Sequence, residues 1–370
     1  MPLSFEVLER CGAARRGRLH TPHGVIETPA FMPVGTLGAV KGLGPPTLRQ
    51  LGASVMLSNL YHLEVRAGVD RIERLGGVHA FTGWSGPILT DSGGYQVFSM
   101  ADRRTIDDQG VRFKSHVDGR AMAFTPERVL RLQAQLGVDI AMMLDECPPW
   151  PVDLATASAS WRRTLDWARR ARQGLAEEHR RGWSGDLFGI VQGSVYPELR
   201  ARAAVELVEL DFAGYAIGGV SVGEPTPERR AVVEWTAPEL PEDRPRYLMG
   251  VGYPADLVHA VAHGIDLFDC VLPARNARHG YFFTRQGPLK IKNARYAEDP
   301  EPVDGDCGCP VCGSVSRAFL HHLFRSREIT GGVLATQHNL FFYLTLMADL
   351  RAGIAAGDLD RRAARWLPEG

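Results

Sequence analysis

The chain has 370 residues, 45% of them hydrophobic, which is enough for one large domain with an attached subdomain. Its 42 basic and 43 acidic side chains give a formal net charge of −1, so a generally basic nucleic-acid-binding surface is excluded and only a local patch can serve that role. Because the sequence contains neither a secretory leader nor an apolar run of about 18 residues, we expect a cytoplasmic protein that does not interact with membranes.

Residues 1–30 are predicted to form a β-hairpin lid, since Gly24 separates two extended segments. Eight short apolar runs follow, and each ends in glycine or polar residues. Their length and their content of β-branched residues favour buried parallel strands. The eight runs are residues 31–34, 55–57, 87–89, 140–144, 187–191, 214–217, 247–249 and 265–268.

Helical stretches lie between most of these runs. Thr125 and Thr226 each precede Pro-Glu, a pattern that predicts a helix with a threonine N-cap, a proline in its first turn and an acid near the positive end of the helix dipole. The spacing of apolar residues predicts two further helices, residues 64–75 and 154–179.

This alternation of strands and helices predicts an α/β fold, a (β/α)8 TIM barrel over residues 31–270. An open doubly wound sheet is the rival architecture, because periodicity alone does not separate the two. Residues 271–340 are too long for one ordinary connection and predict an inserted subdomain near the C-terminus. Residues 341–370 are expected to form a C-terminal helical segment that completes the barrel.

Two acids follow predicted strands at the end where the functional groups of a barrel gather. Asp269 lies in an apolar run, where a carboxylate is costly unless it is paired or used. Asp91 opens Asp-Ser-Gly-Gly-Tyr-Gln, in which the glycines let a ligand approach the backbone and Tyr95 can stack on a flat ring, although Asp-Ser-Gly is also an ordinary turn. Two carboxylates, one a nucleophile and one a proton donor and acceptor, suit glycosidic-bond chemistry.

Nucleotide recognition is indicated by two further sets of residues. Asp145, Gln192 and the backbone at 218–219 offer the acceptor, amide and N–H groups that read a purine edge. Residues 271–297 contain no acid and are expected to hold phosphates through their cations, which are Arg275, Arg278, Arg285, Lys290, Lys292 and Arg295. A reaction at the glycosidic bond of a nucleotide in RNA or DNA fits these groups.

Three closely spaced cysteines predict a structural metal site, because their thiolates can converge on one ion; they are Cys307, Cys309 and Cys312. His338 is the leading fourth ligand, while His321 and His322 lie in a predicted helix where they can face water. Four protein ligands fill a tetrahedral site, so we expect one structural Zn²⁺ per chain, with free buried thiols as the alternative. The other three cysteines are scattered, which favours a reducing compartment over a disulfide framework.

From about residue 5 to residue 350 the chain resembles the bacterial-type tRNA-guanine transglycosylases of the queuine tRNA-ribosyltransferase family. The resemblance is carried by Asp269, by the cysteine set with His338, and by ordered motifs at residues 32–36, 61–63, 91–96, 115–119, 145–149, 218–224 and 275–278. It implies a TIM barrel with an inserted zinc subdomain, and a homodimer in which one subunit binds the tRNA.

The resemblance also implies the reaction. Asp269 attacks the ribose C1′ of the guanosine at the anticodon wobble position, and Asp91 donates and later accepts the proton. Guanine leaves, and 7-aminomethyl-7-deazaguanine displaces Asp269 from the covalent tRNA intermediate. The implied base-binding residues are Tyr95, Asp145, Cys147, Gln192, Gly219, Val220, Val222 and Met249, and the implied RNA-binding residues are Arg275, Asn276, Arg278, Lys290 and Lys292.

Base preference is indicated by Val222 and Cys147, which match the bacterial type, whereas the eukaryotic queuine-inserting type has glycine at the Val222 position. We therefore expect the aminomethyl base rather than queuine or the nitrile precursor. Val220 replaces the leucine usual in this family and would loosen the contact to the aminomethyl group. Ala274 and Phe341 also depart from the family pattern and are read as packing changes.

Two alternatives come from other functional classes. The first is a non-catalytic RNA-binding partner of an active subunit, and the retention of Asp91 and Asp269 argues against it. The second is a zinc-containing barrel hydrolase for sugars or nucleosides. The sequence lacks the histidine and carboxylate ligands expected inside such a barrel, and the basic run would have no role.

Overall fold

The structure, a computed structural model, describes residues 3–94 and 104–367. Within those residues the largest sheet is a ring of parallel strands arranged in chain order. Pro33, which has no N–H, interrupts the first strand, so that Ala30–Met32 pairs with the last strand and Val34–Gly35 pairs with the second. The two halves of one strand thus close the ring. The predicted (β/α)8 barrel is confirmed, and the open doubly wound sheet is wrong.

Each predicted apolar run overlaps a barrel strand, and most bounds shift by one or two residues. The barrel strands are Ala30–Met32 with Val34–Gly35, Met56–Asn59, Ile88–Asp91, Ile140–Met142, Asp186–Val191, Gly214–Ile217, Arg246–Leu248 and Leu267–Asp269. Asp91 and Asp269 are the last residues of their strands. The fold therefore brings both acids to the same end of the barrel.

Helices cover the outside of this ring. They are Pro45–Gln50, Leu60–Arg66, Val69–Arg74, Gly77–Thr82, Pro126–Leu136, Leu154–Arg180, Pro197–Val208, Thr226–Thr236 and Pro254–Ala262, with a 3-10 turn at Ala237–Glu239. Thr125 caps its helix as predicted, because its side chain accepts a hydrogen bond from Arg128 N.

Two helix predictions need correction. Thr226 is not an N-cap but the first helical residue, because Pro225 already has the extended backbone of a cap. The single helix predicted over residues 64–75 is two helices, Leu60–Arg66 and Val69–Arg74. Gly68 separates them with φ of +81°, a backbone conformation that does not continue a right-handed helix.

The N-terminal segment is a three-stranded antiparallel sheet rather than the predicted hairpin, with strands Ser4–Cys11, Ala14–Thr21 and Gly24–Thr28. It contacts the residues that precede barrel strands. The buried Arg15 lies 2.5 Å from Asp266, and His23 lies 2.9 Å from Asp139. The sheet therefore covers the end of the barrel opposite Asp91 and Asp269.

Two further regions extend the barrel. An antiparallel sheet that the sequence did not predict follows the third barrel strand, with strands Arg104–Asp107, Gly110–Lys114 and Ala121–Phe124. The residues after the last barrel strand form Leu272–Ala277, Tyr281–Phe282, Leu289–Lys290, the 3-10 turn Ala294–Tyr296, Arg317–Arg325, Ile329–Ala356 and Leu359–Ala364. Among the described helices, none combines the length and the apolar character that a membrane span requires.

The residues after the barrel have a hydrophobic core of their own, which includes Phe282, Ile291 and Leu320. Helix Ile329–Ala356 contributes Ala335 to this small core and Tyr343 to the barrel core. One continuous helix therefore joins the inserted subdomain to the C-terminal segment, and it passes through residue 340, where the sequence predicted the boundary.

Candidate active site

A cavity of about 450 Å³ opens where the barrel strands end, a size typical of small-molecule sites. It gathers predicted site residues from segments far apart in the sequence: Asp91, Asp145, Cys147, Gln192, Gly219, Val220, Val222, Met249, Asp269 and Arg275. Tyr95, the predicted stacking residue, lies outside the described residues. The cavity therefore contains both predicted catalytic acids and all the predicted base-binding residues that the structure describes.

Three hydrogen bonds from the described residues hold Asp91. Asn59 donates to Oδ2 at 2.5 Å, and the backbone N–H groups of Leu60 and Gly93 donate to Oδ1 at 3.2 and 3.1 Å. These bonds favour the charged form, but burial disfavours it more strongly, and the nearby Asp269 adds repulsion. The pKa of Asp91 is raised to about 7. The carboxyl group can therefore donate or accept a proton near neutral pH.

Only one oxygen of Asp269, Oδ1, accepts hydrogen bonds from the described residues. Tyr247 donates its hydroxyl proton to Oδ1 at 2.6 Å, and Gly250 N–H donates to the same oxygen at 2.8 Å. No described residue donates to Oδ2. Burial raises the pKa of Asp269, while the two hydrogen bonds stabilise its charged form. The arrangement fixes the carboxylate and leaves one oxygen available to a substrate.

Asp145 and Gln192 form a polar pair on the wall of the cavity. Gln192 Nε2 donates to Asp145 Oδ2 at 2.6 Å, and burial raises the pKa of Asp145 to about 6. Gln192 Oε1 is buried and accepts no hydrogen bond from the described residues. A ligand with N–H donors along one edge would satisfy this acceptor together with Asp145, as a guanine-like ring can.

Gly219 lies beside the Gln192 amide with φ of +65°. A Cβ atom there would come within 2.3 Å of Gln192 Oε1, so only glycine leaves the amide in place. Burial raises the pKa of the nearby Cys147 thiol to about 12, so Cys147 lines the cavity as a neutral group.

The loop that carries Val220 and Val222 is fixed by Glu224. This buried carboxylate accepts hydrogen bonds from Ser221 N at 2.6 Å and from Val222 N at 2.9 Å. Arg229 lies 3.7 Å from the same carboxylate. The two valines therefore face the cavity on a loop held by its own acid.

A compact cluster of side chains of the metal-ligand type lies in the inserted subdomain. Its ligand atoms all lie within 4.8 Å of one another, and its members are Cys307, Cys309, Cys312 and His338. The three sulfur atoms are 3.8, 3.5 and 3.3 Å from His338 Nδ1. Nε2 of the same ring donates to the Phe283 carbonyl at 2.8 Å, which leaves the lone pair on Nδ1. His321 instead bonds the Ile291 carbonyl. The cluster can hold one metal ion.

The sequence pattern of the queuine tRNA-ribosyltransferase family matches residues 10–369. A queuine tRNA-ribosyltransferase of Aromatoleum aromaticum is 52% identical over 364 residues, which cover 98% of each chain. The queuine tRNA-ribosyltransferase of Nitrosomonas eutropha is 52% identical over 353 residues, which cover 95% of this chain and 96% of that protein. The one of Desulforudis audaxviator is 52% identical over 361 residues, which cover 96% of this chain and 95% of that protein. The chain belongs to the queuine tRNA-ribosyltransferase family. The resemblance seen in the sequence is confirmed.

In this member of the queuine tRNA-ribosyltransferase family, the predicted RNA-binding residues extend outward from the cavity. Arg275 lines the cavity from helix Leu272–Ala277, which follows the strand that ends in Asp269. The others do not line it; Asn276 is half-buried, while Arg278, Lys290 and Lys292 are exposed. Within the described residues no acid forms a salt bridge with these cations. Their charge is therefore available to phosphates.

Sequence reasoning missed residues that support the two acids and the loop that carries Val220 and Val222. Asn59 lies opposite Asp91 in the neighbouring strand, Tyr247 reads as part of an apolar run, and Glu224 reads as a surface acid. Asn59 offered one signal, since it is a polar residue at a strand end. The other two become visible only when the strand register and the loop path are known.

Proposed function

We propose that this chain is a tRNA-guanine transglycosylase that exchanges guanine at the anticodon wobble position for 7-aminomethyl-7-deazaguanine during queuosine biosynthesis. The observation that carries the proposal is a pair of carboxyl groups, Asp91 and Asp269, which line one cavity but have different partners and a raised pKa. Family membership supports the reaction class, and the hydrogen bonds around each acid support the division of roles.

In the first step Asp269 is the nucleophile. Its carboxylate oxygen forms a bond to C1′ of the target ribose as the bond from C1′ to guanine N9 breaks. Tyr247 and Gly250 hold Oδ1, so Oδ2 is the attacking atom. Asp91 gives its proton to the departing guanine. The product is a covalent ester between the ribose and Asp269, with neutral guanine and ionised Asp91.

In the second step the incoming base takes the place of guanine. Asp91, now ionised, accepts the N9 proton of 7-aminomethyl-7-deazaguanine as N9 bonds to C1′ and the ester bond to Asp269 breaks. Two inversions at C1′ give net retention. A pKa of about 7 suits Asp91 to both proton transfers, because neither protonation state is costly near neutral pH.

Base recognition rests on the same cavity. Asp145 and the unpartnered Gln192 Oε1 accept from the base edge, Gly219 keeps space for the amide, and Met249 with Tyr95 would cover the two ring faces. Val222 narrows the cavity and supports preference for the small aminomethyl base over queuine. The base must leave its stack to enter, which a single-stranded anticodon loop permits.

The ion in the inserted subdomain is proposed to be one structural Zn²⁺. A tetrahedral zinc ion with Zn–S of about 2.3 Å and Zn–N of about 2.0 Å separates sulfur from nitrogen by about 3.5 Å. The distances from His338 Nδ1 to the three sulfur atoms, 3.3 to 3.8 Å, fit that value. Four protein ligands leave no open position, so the ion supports the small core that carries Lys290 and Lys292 and takes no part in the chemistry.

The partners follow from these sites. We propose that tRNA binds along the cations that lead from Arg275 to Lys292, with guanine and the aminomethyl base as the small-molecule partners. A homodimer, a cytoplasmic location and the domain boundaries at residues 30, 270 and 340 stay predictions. Sedimentation of the purified chain would test the homodimer.

The proposal is tested by exchange of radiolabelled guanine into a tRNA that bears a wobble guanosine. We expect the wild-type chain to incorporate label, and we expect Asp269→Asn to incorporate none while still binding the tRNA. A tRNA with adenosine at the wobble position is the matched control substrate. Incorporation of label by Asp269→Asn at the wild-type rate would remove Asp269 from the reaction.

A further inference from the structure

A second set of metal-binding side chains lies on the outside of the barrel. Glu234 is in the last turn of helix Thr226–Thr236, and His259 and His263 lie one turn apart at the end of helix Pro254–Ala262. One ligand atom from each side chain lies within 4.8 Å of the others. The two helices flank, in sequence, the barrel strand that carries Tyr247.

The two imidazole rings each leave one nitrogen without a hydrogen-bond partner among the described residues. His263 Nδ1 donates to the His259 carbonyl at 2.8 Å, which leaves the lone pair on Nε2. The Nε2 atom of His259 is shielded from solvent and has no hydrogen-bond partner among the described residues. Glu234 Oε1 is 3.3 Å from this Nε2, yet the two atoms are not aligned for a hydrogen bond. A separation of 3.3 Å without a hydrogen bond suits two ligands of one ion.

The surrounding charges permit a cation at this point. Both helices end here, and a helix C-terminus carries negative partial charge. Arg230 is close, but it is paired with Asp256 at 2.9 Å. Burial, together with the neighbouring His263, lowers the pKa of His259, which favours the neutral ring. Neutral imidazole is the form that binds metal.

Another histidine cluster lacks the geometry that a metal site needs. His23, His79 and Asp139 are also close, but the two rings are stacked at 3.6 Å with 17° between their planes, so one ion cannot lie in both planes. Both Asp139 oxygens already accept backbone N–H groups, from His23 and Ile88. That cluster is a hydrogen-bonded contact between the N-terminal sheet and the barrel. The centroids of the His259 and His263 rings are 4.3 Å apart and their planes differ by 37°. These two rings are therefore not stacked face to face, and both can direct a nitrogen toward one ion.

We propose that Glu234, His259 and His263 bind a second divalent transition-metal ion, with water in the remaining positions. Two imidazoles and one carboxylate suit Zn²⁺ among such ions. The site is separate from the reaction cavity and from the cysteine cluster. An ion bound there links the ends of two helices and stabilises the folded chain.

The test is equilibrium dialysis of the tag-free, full-length chain against buffered Zn²⁺, followed by metal analysis. We expect wild type to bind one ion more than His263→Ala and one more than Glu234→Gln. His322→Ala, which removes an exposed histidine outside the three clusters, is the matched control and should bind as many ions as wild type.

Two further readouts separate this site from the cysteines. Added Co²⁺ should give one set of visible bands without thiolate charge transfer, and these bands should be absent from His263→Ala. Zn²⁺ should raise the melting temperature of wild type and of His322→Ala more than that of Glu234→Gln, an exposed change that leaves the helix intact. Equal metal content and an equal melting shift in wild type, His263→Ala and Glu234→Gln would overturn the proposal.

Discussion

Asn59 is predicted to set the pH range of the reaction through Asp91. Its amide donates to Asp91 Oδ2 at 2.5 Å, and this bond favours the ionised acid. Asn59→Ser shortens the side chain so that it no longer reaches Asp91, while serine still caps the helix that begins at Leu60. The pKa of Asp91 should then rise above its present value of about 7.

The size of the effect follows from the bond. A hydrogen bond to a charged group contributes about 1.5–3 kcal/mol, which is about one to two pH units at about 1.4 kcal/mol per unit. Because protonated Asp91 is the acid that releases guanine, the wild-type kcat/KM for tRNA should fall as pH rises above about 7. In Asn59→Ser the same fall should come about one to two pH units higher.

The assay is the pH profile of kcat/KM for guanine exchange in both proteins, with thermal unfolding to show that each is folded. Ser58→Ala is the control, since it removes a neighbouring buried hydroxyl that has no hydrogen-bond partner among the described residues, and its profile should match wild type. If Asn59→Ser loses activity equally at every pH and its alkaline limb does not move, Asp91 is not the titrating acid.

Three further predictions concern the metal, the base and the RNA. Cys307→Ser should lower the metal content from about one ion per chain at the cysteine cluster and reduce the melting temperature, because the ion is part of the fold; unchanged metal content would contradict the ligand assignment. Val222→Gly should raise the incorporation of queuine relative to the aminomethyl base in a competition assay, and an unchanged ratio would discount the role of Val222. Lys292→Ala should weaken tRNA binding and reduce the slope of log K against log salt by about one, with kcat at saturating tRNA retained. An unchanged slope would show that Lys292 does not contact a phosphate.

The barrel could be predicted from the sequence because its strands are buried on both sides and read as short apolar runs. The remaining features depend on contacts that are distant in the chain. Pro33 closes the ring by letting each half of one strand pair with a different neighbour, and no local pattern marks that. The third N-terminal strand, Gly24–Thr28, is short and partly exposed, so its pattern of apolar residues is too weak to predict a strand. Gly68 is a local signal for the broken helix, because glycine readily adopts the positive φ that ends a right-handed helix.

The candidate site also contains some residues that the sequence predicts and others that it does not. Asp91 and Asp269 were predictable because they end strands of a barrel, and His338 because cysteine spacing required a distant fourth ligand. The residues that support these side chains could not be predicted. Asn59 meets Asp91 through strand register, and Tyr247 meets Asp269 across neighbouring strands, although each pair is separated by many residues in the chain. Hydrogen-bond partners of this kind follow from the fold and not from the local sequence.

The central claim is that Asp269 forms a covalent bond to tRNA, and a denaturing gel tests it most directly. End-labelled tRNA is incubated with the chain without the incoming base, quenched and run under denaturing conditions, with Asp269→Asn in parallel. We predict a shifted band that contains both tRNA and protein for wild type, no such band for Asp269→Asn, and disappearance of the wild-type band when 7-aminomethyl-7-deazaguanine is added before the quench. A band of equal strength from Asp269→Asn, or a wild-type chain that exchanges guanine without ever giving the band, would contradict the double-displacement mechanism.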